Sequence, residues 1–392
     1  MLCNLARLRE GLLRDGLAAV VATTFENVLY LSDFGNPLPY QTGTAAAAIV
    51  PADPQRPAIL VVGMPYLAHL VVEPTWMPQV EVFGSIGIEV NREVELGYPE
   101  AEVLAAVEAA ESRRHPSLAH AVSAALSSLG LLGATVAFDR PAFAAGVPDW
   151  TGTAVDAGAV LSFAQAIKTP AEVDRLRRAS IINEQAFAAA NRRLVDGGDW
   201  LEVTRTWYGE WATQGGTGAF WGGGSGAHAS QFYPLQTSYA LRTGDLIRYE
   251  GGGTYEGYWA DSGRTAAIGT PTDRARTYVR ALKTGAEVAQ ELIRPGATGD
   301  EICTQVLAAI RGSGIPNFPA ANVWGHGIGL HLNEAPRLRA GVPGVLEPGM
   351  VICFETPYFE LGWGGLQVED TYLITETGHE ILTFADRDLL VV

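Results

Sequence analysis

The sequence predicts a two-domain α/β chain: a small mixed α/β domain over residues 1–164, then a larger domain over residues 165–392. Three observations carry that prediction. A length of 392 residues exceeds one ordinary compact unit. The first part alternates short apolar runs, punctuated by Gly and Pro, with Ala- and Glu-rich helical stretches. Near Lys168 a fresh start is signalled by Thr169-Pro-Ala-Glu172, a capping box with proline at the first helical position. Apolar residues at 47% fill sizeable cores, and charged residues at only 18% argue against disorder.

Residues 2–15 read as an amphipathic helix, with Leu2, Leu5, Leu8, Leu12 and Leu13 on one stripe. The runs Ala18 to Ala22, Val28 to Leu31, Ala45 to Val50 and Ala58 to Val62 read as strands, as does Thr135 to Phe138. Between them, residues 99–130 are helical with a break near Pro116. The stretch Asp33 to Gly43 is rich in turn residues and reads as a binding loop or a plain connector.

In the second domain a long helix runs from Pro170 to about Val195 and stops before Gly197-Gly198. A glycine-rich loop, Trp221 to His228, leads into Gln231-Phe-Tyr-Pro234. It lacks the Gly-Lys-Ser/Thr end of a phosphate loop, and around Ser225 it lacks the last glycine of a nucleophile elbow. Its glycines instead permit tight backbone turns beside a pocket. Then Leu246 to Thr265 reads as a hairpin turning at Glu256-Gly257. That turn pairs Tyr255 with Tyr258, sets Gly252 opposite Asp261, and puts Glu250 and Asp261 on one face. Helices follow from Pro271 to about Ile293 and from the capping box Thr298-Gly-Asp-Glu301 to about Arg311. The motif Trp324 to Pro336 and two strands, Val351 to Glu355 and Gly364 to Ile374, complete the chain, with Glu250 on a triple-glycine corner.

The totals exclude several function classes. A formal charge of −16 disfavours nucleic acid and anionic membranes, which need basic patches, and solubility accounts for it. Cys3, Cys303 and Cys353 are odd in number and far apart, so they define no disulfide framework. No apolar run approaches the length of a membrane span, and the N-terminal segment lacks a secretory apolar core; a cytoplasmic location is expected.

Glu250, Asp261, His326, Glu355 and Glu369 each fall on or beside a predicted strand. Facing acids repel unless a cation or a proton lies between them. One imidazole with several carboxylates suits a borderline-hard divalent ion: Mn, Co, Fe or Zn. Among the remaining candidates, Met350 and Cys353 read as core, Asp245 as a turn residue, and Asp370 as packing behind the site. His69, His115, His120 and His379 have no partners in motif.

These motifs together resemble the pita-bread metallopeptidase family of prolidase, aminopeptidase P, methionine aminopeptidase and creatinase. The resemblance rests on Tyr255 to Thr265, Gly325-His-Gly-Ile-Gly329, Pro348 to Glu355 and Gly364 to Asp370. It covers nearly all of residues 165–392 and implies a curved, mostly antiparallel sheet covered by helices. Residues 1–164 look like the smaller first domain of the prolidase and creatinase branch, where a homodimer brings the neighbour's first domain over the active site. The resemblance makes Asp261 and Glu369 bridge two metals, with His326 and Glu355 completing the first. Glu250 stands where the family has a shorter aspartate for the second metal, so one or two ions per chain are expected.

Departures from the family concentrate on substrate handling. Where the family has a histidine before the hairpin, this chain has Phe232 or Tyr233, with His228 slightly upstream. A second family histidine is Asn333 here, with His331 two residues away on the same strand parity. Gln367 replaces an arginine frequent in prolidase-like members. His228 and His331 are as readily plain loop positions as pocket ones.

The first functional expectation is a metal-dependent hydrolase of a small amide-type substrate, an Xaa-Pro dipeptide being the familiar example. Glu355 shuttles the proton, His331 is a further catalytic candidate, and His228, Tyr233, Asn333 and Gln367 contact substrate. The alternatives are a metal-independent, creatinase-like C–N hydrolase and a catalytically silent binding protein on the same fold.

Overall fold

Short apolar runs of the first unit, Met1–Gln165, pair into a six-stranded mixed sheet in the computed structural model, which describes residues 1–91 and 93–392. Across the sheet the order is Gln79–Phe83, Ile59–Gly63, Ala47–Pro51, Ala19–Ala22, Thr135–Phe138 and Thr153–Asp156. Ala19–Ala22 is buried throughout and pairs antiparallel on one side and parallel on the other. Its unbroken apolar sequence is that of a central strand. The helix Leu118–Ser128 covers this sheet through Ala121, Val122, Ala125 and Leu126.

Val28 to Leu31 is not a strand. It lies inside the helix Phe25–Ser32, where Val28 to Ser32 are all buried. A short apolar run buried on every side has no period that separates helix from strand. The stretch after it holds a short helix, Leu38–Gln41, and Asp33 accepts a hydrogen bond from the Leu2 amide at 2.8 Å.

The second unit, Ala166–Val392, is built on a ten-stranded sheet. Its main path runs Glu334–Leu338, Trp324–Gly327, Val351–Glu355, Glu369–Ile374, Tyr258–Ala267, Leu246–Tyr255 and Thr217–Trp221. All of these neighbours are antiparallel. The hairpin has the expected register, with Tyr258 opposite Tyr255 and Asp261 opposite Gly252. Glu256 and Gly257 take left-handed φ of 47° and 84° at its turn, as a two-residue hairpin loop requires.

The capping box at Thr169 and Glu172 is present and opens the helix Pro170–Asn191. A second helix, Trp200–Thr213, capped by Asp199, carries no expectation from the sequence reading above. Trp200, Val203, Trp207 and Trp211 form its buried face and pack on the hairpin. This packing explains Gly251 to Gly253, which lie within the strand and make no corner. A side chain on Gly251 would press on the Trp207 and Trp221 rings, and one on Gly253 on the Trp211 ring. Helices Asp273–Leu292 and Gly299–Gly312 close a second core with Val351–Glu355 and its neighbours.

Gly364 to Ile374 is interrupted. Gly364–Leu366 pairs with Tyr358–Glu360, whereas Glu369–Ile374 joins the main sheet. The gap is held by Thr265, whose hydroxyl accepts from the Gln367 amide at 2.8 Å and donates to its carbonyl at 3.0 Å. Among the described residues no helix is long and apolar enough to cross a membrane.

Candidate metal centre

Sheet register alone brings the acids together. Glu355 lies opposite Glu369, Glu369 opposite Gly263, and Gly263 opposite Glu250, which forms one row across four strands. At the Gly263 position of this row the space is filled by the Gln367 side chain, which a Cβ there would strike. In the neighbouring row, His326 lies opposite Cys353, which lies opposite Thr371, and Asp261 comes two residues before Gly263. Side chains two residues apart share a face, so both rows converge on one patch.

The convergence is atomic. One ligand atom each of Glu250, Glu355 and Glu369 lie within 4.8 Å of one another, and so do those of Asp261, His326, Cys353 and Glu369. All of these side chains are buried. His326 Nδ1 is 3.0 Å from the Gly327 carbonyl. A carbonyl only accepts, so the ring proton sits on Nδ1. Burial pushes the imidazole pKa down to about 4, so near neutral pH Nε2 carries a bare lone pair. That lone pair faces Asp261 Oδ2 at 3.8 Å.

Burial raises the carboxyl groups of Asp261, Glu355, Glu369 and Glu250, and mutual repulsion adds to it for the first three. The carboxylate oxygens are satisfied unequally. Gln367 Nε2 donates to Glu355 Oε2 at 2.9 Å and to Glu369 Oε2 at 3.4 Å. Glu250 Oε2 accepts from Arg248 Nη1 at 3.1 Å, and its Oε1 accepts from the Tyr233 hydroxyl at 3.5 Å. By contrast, Asp261 Oδ1 and Glu369 Oε1 are buried without a hydrogen-bond partner among the described residues. Orphaned carboxylate oxygens beside an imidazole lone pair are the donor set of a borderline-hard divalent cation. The residues therefore fit a metal ion. Cys353 belongs to the core: its thiol, raised far by burial, lies 3.3 Å from the Thr371 hydroxyl.

The other expected site residues divide. Tyr233 and Gln367 reach the carboxylates. His228 instead stacks on the Tyr239 ring, with centroids 4.2 Å apart. His331 and Asn333 are exposed, in the bend between Trp324–Gly327 and Glu334–Leu338. Strand parity therefore does not relate them, and the His331 backbone amide is held by Glu334 Oε1 at 3.0 Å. Asp245 holds its turn, accepting from Ser225 Oγ and the Arg242 amide. Asp370 packs behind the sheet against Arg264 and Arg387, each at 2.6 Å.

Arg248 is the residue that the sequence reading missed. It is fully buried, and its one signal was its parity: two residues before Glu250, on the same face of the strand. Beside it stands an aromatic wall, with Tyr233 edge-on to Phe220 and Phe232, and Phe232 edge-on to Phe359.

Residues 174–376 match the model of metallopeptidase family M24. Over 236 residues the chain is 32% identical to the probable dipeptidase PepE of Mycobacterium tuberculosis, covering 59% of this chain and 62% of that protein. With the uncharacterized peptidase YqhT of Bacillus subtilis, identity is 29% over 43% of this chain and 47% of that one. The matched stretch thus spans less than two thirds of these curated relatives. An Xaa-Pro dipeptidase from Bacillus anthracis superposes with a TM-score of 0.79 at 20% identity, over 99% of both chains. That likeness shows the fold: the pita-bread architecture, preceded by the smaller mixed α/β domain.

Proposed function

The chain belongs to metallopeptidase family M24, and on that premise we propose that it is a metal-dependent hydrolase of a small amide-type substrate such as an Xaa-Pro dipeptide. The observation that carries this reading is the pair of orphaned oxygens, Asp261 Oδ1 and Glu369 Oε1, beside the unprotonated face of His326. Asp261, His326 and Glu369, with Glu355 at their edge, hold the ion. The ion supplies an activated water and a positive charge for the oxyanion that forms at the substrate carbonyl.

Glu355 is the proton carrier. Burial raises its carboxyl well above the usual range, which suits a group that takes a proton near neutral pH and returns it to the leaving nitrogen. Gln367 fixes its orientation through the 2.9 Å hydrogen bond to Oε2. The aromatic wall of Phe220, Phe232, Tyr233 and Phe359 offers apolar surface to a substrate side chain or a pyrrolidine ring. In place of family histidines, the Tyr233 hydroxyl is the polar group at that wall, so the preferred substrate differs from that of ordinary proline dipeptidases. Homologues named dipeptidase and Xaa-Pro dipeptidase support peptide-bond chemistry. A homodimer goes with this reading, supported by the exposed apolar residues Ile86, Ile88, Val94 and Tyr98 of the first unit.

Metal content and turnover test the proposal together. Asp261→Ala is expected to lose divalent-metal uptake, measured by elemental analysis after chelation and reloading, and with it hydrolysis of a dipeptide panel. Full turnover by exhaustively chelated wild type would sink it and favour the metal-independent alternative.

A further inference from the structure

The cage has two ends, and they are not equivalent. At the Asp261–His326–Glu369 end, two buried carboxylate oxygens receive no donor among the described residues. At the Glu250–Glu355–Glu369 end, each carboxylate already receives one: Glu250 from Arg248 and Tyr233, Glu355 and Glu369 from Gln367. The strongest of these donors is a full positive charge, fixed in place.

Arg248 is built in on all sides. Its Nη2 donates to the carbonyls of Gly222 at 2.5 Å, Phe232 at 2.6 Å and Gln231 at 3.0 Å, and its Nε to the Ala229 carbonyl at 3.4 Å. The guanidinium also lies 4.8 Å from the centre of the Phe359 ring. Swinging away would strand the buried Gly222 and Ala229 carbonyls without a donor, at a cost no exposed arginine bears. The charge therefore stays where a second cation bound to Glu250 would meet it, and like charges in a buried site repel strongly.

We propose that the Arg248 guanidinium is the resident cation of the Glu250 end of the cage, so that each chain takes one divalent ion, held by Asp261, His326 and Glu369. Arg248 and Glu250 are then positioning residues: they shape the Tyr233 side of the pocket and do not ligate metal. This inference rests on the metallohydrolase reading above.

The test counts ions and asks whether they sense each other. Chelated full-length protein is titrated with Mn²⁺, bound metal is measured per chain, and the electron paramagnetic resonance spectrum is recorded. Wild type is expected to saturate at one equivalent with an uncoupled six-line spectrum. Arg248→Met is expected to admit a second ion and show an exchange-coupled spectrum. Glu250→Gln is expected to keep one ion, weakened by about 10- to 100-fold, the scale of an indirect effect. It decides the matter if the arginine variant fails to fold. Two coupled ions in wild type, one ion in folded Arg248→Met, or loss of the ion in Glu250→Gln would each overturn the inference. No uptake at all by wild type would instead bring down the metallohydrolase reading beneath it.

Discussion

Asp261, Glu355 and Glu369 carry carboxyl groups that burial and mutual repulsion hold well above their ordinary range. A metal takes the charged form, so binding must expel whatever protons these groups hold. His326 does not oppose this: with its pKa pushed down to about 4, it is already neutral between pH 5 and pH 8. The expected outcome is proton release on metal binding and an affinity that rises with pH. Calorimetry in two buffers of different ionisation enthalpy checks it, and equal heats in both would contradict it. The five-residue set was legible because strand parity and motif order fix which side chains share a face. Arg248 was not, since a cation among presumed metal ligands contradicts the pattern being read. For His331 and Asn333 the parity argument fails, because they lie in a bend, where counting by two has no meaning.

At the scale of elements, the helix Pro170–Asn191 begins with a carboxyl that does two jobs. Glu172 Oε2 accepts from the Thr169 amide at 2.8 Å and Oε1 from the Tyr258 hydroxyl at 3.2 Å, which ties the helix start to the hairpin. Burial outweighs these donors and the nearby Lys168, and raises Glu172 from 4.5 to about 7. A raised pKa favours the folded state when the group is protonated. Its stabilisation is full below pH 4.5 and is lost as pH rises through about 7. Glu172→Gln is expected to remove roughly 3 kcal/mol of pH dependence over that window. Denaturant titrations of both proteins at pH 4.5, 6 and 7.5 measure it; parallel pH profiles would exclude it. The capping box at Thr169 and the hairpin turn were readable because each has local chemistry that only one structure satisfies, whereas at Thr298 only the hydroxyl half of the expected box forms, accepting from the Glu301 amide at 3.2 Å. The helix Trp200–Thr213 had such chemistry in Asp199 and its buried tryptophans. Phe25–Ser32 had only Thr24 before it, with no side-chain capping bond, and an apolar run without period.

For the whole molecule, the homodimer proposed above predicts a mass near twice 41.7 kDa by light scattering. Ile88→Glu with Tyr98→Glu is expected to shift the species toward the monomer, and a wild-type monomer at every concentration would rule the dimer out. Length and composition anticipated two units without saying what either does, because composition bounds class and not chemistry. The row of Glu250, Gly263, Glu369 and Glu355 has one more consequence. Its two halves, Glu250 with Gly263 and Glu355 with Glu369, lie far apart along the chain and meet only when Gly263 pairs with Glu369. Loop closure must precede any such meeting, which makes long-range pairing slow. An ion added during refolding would therefore find no grip on early, partly assembled chains, and its capture would mark the moment the last strand locks home.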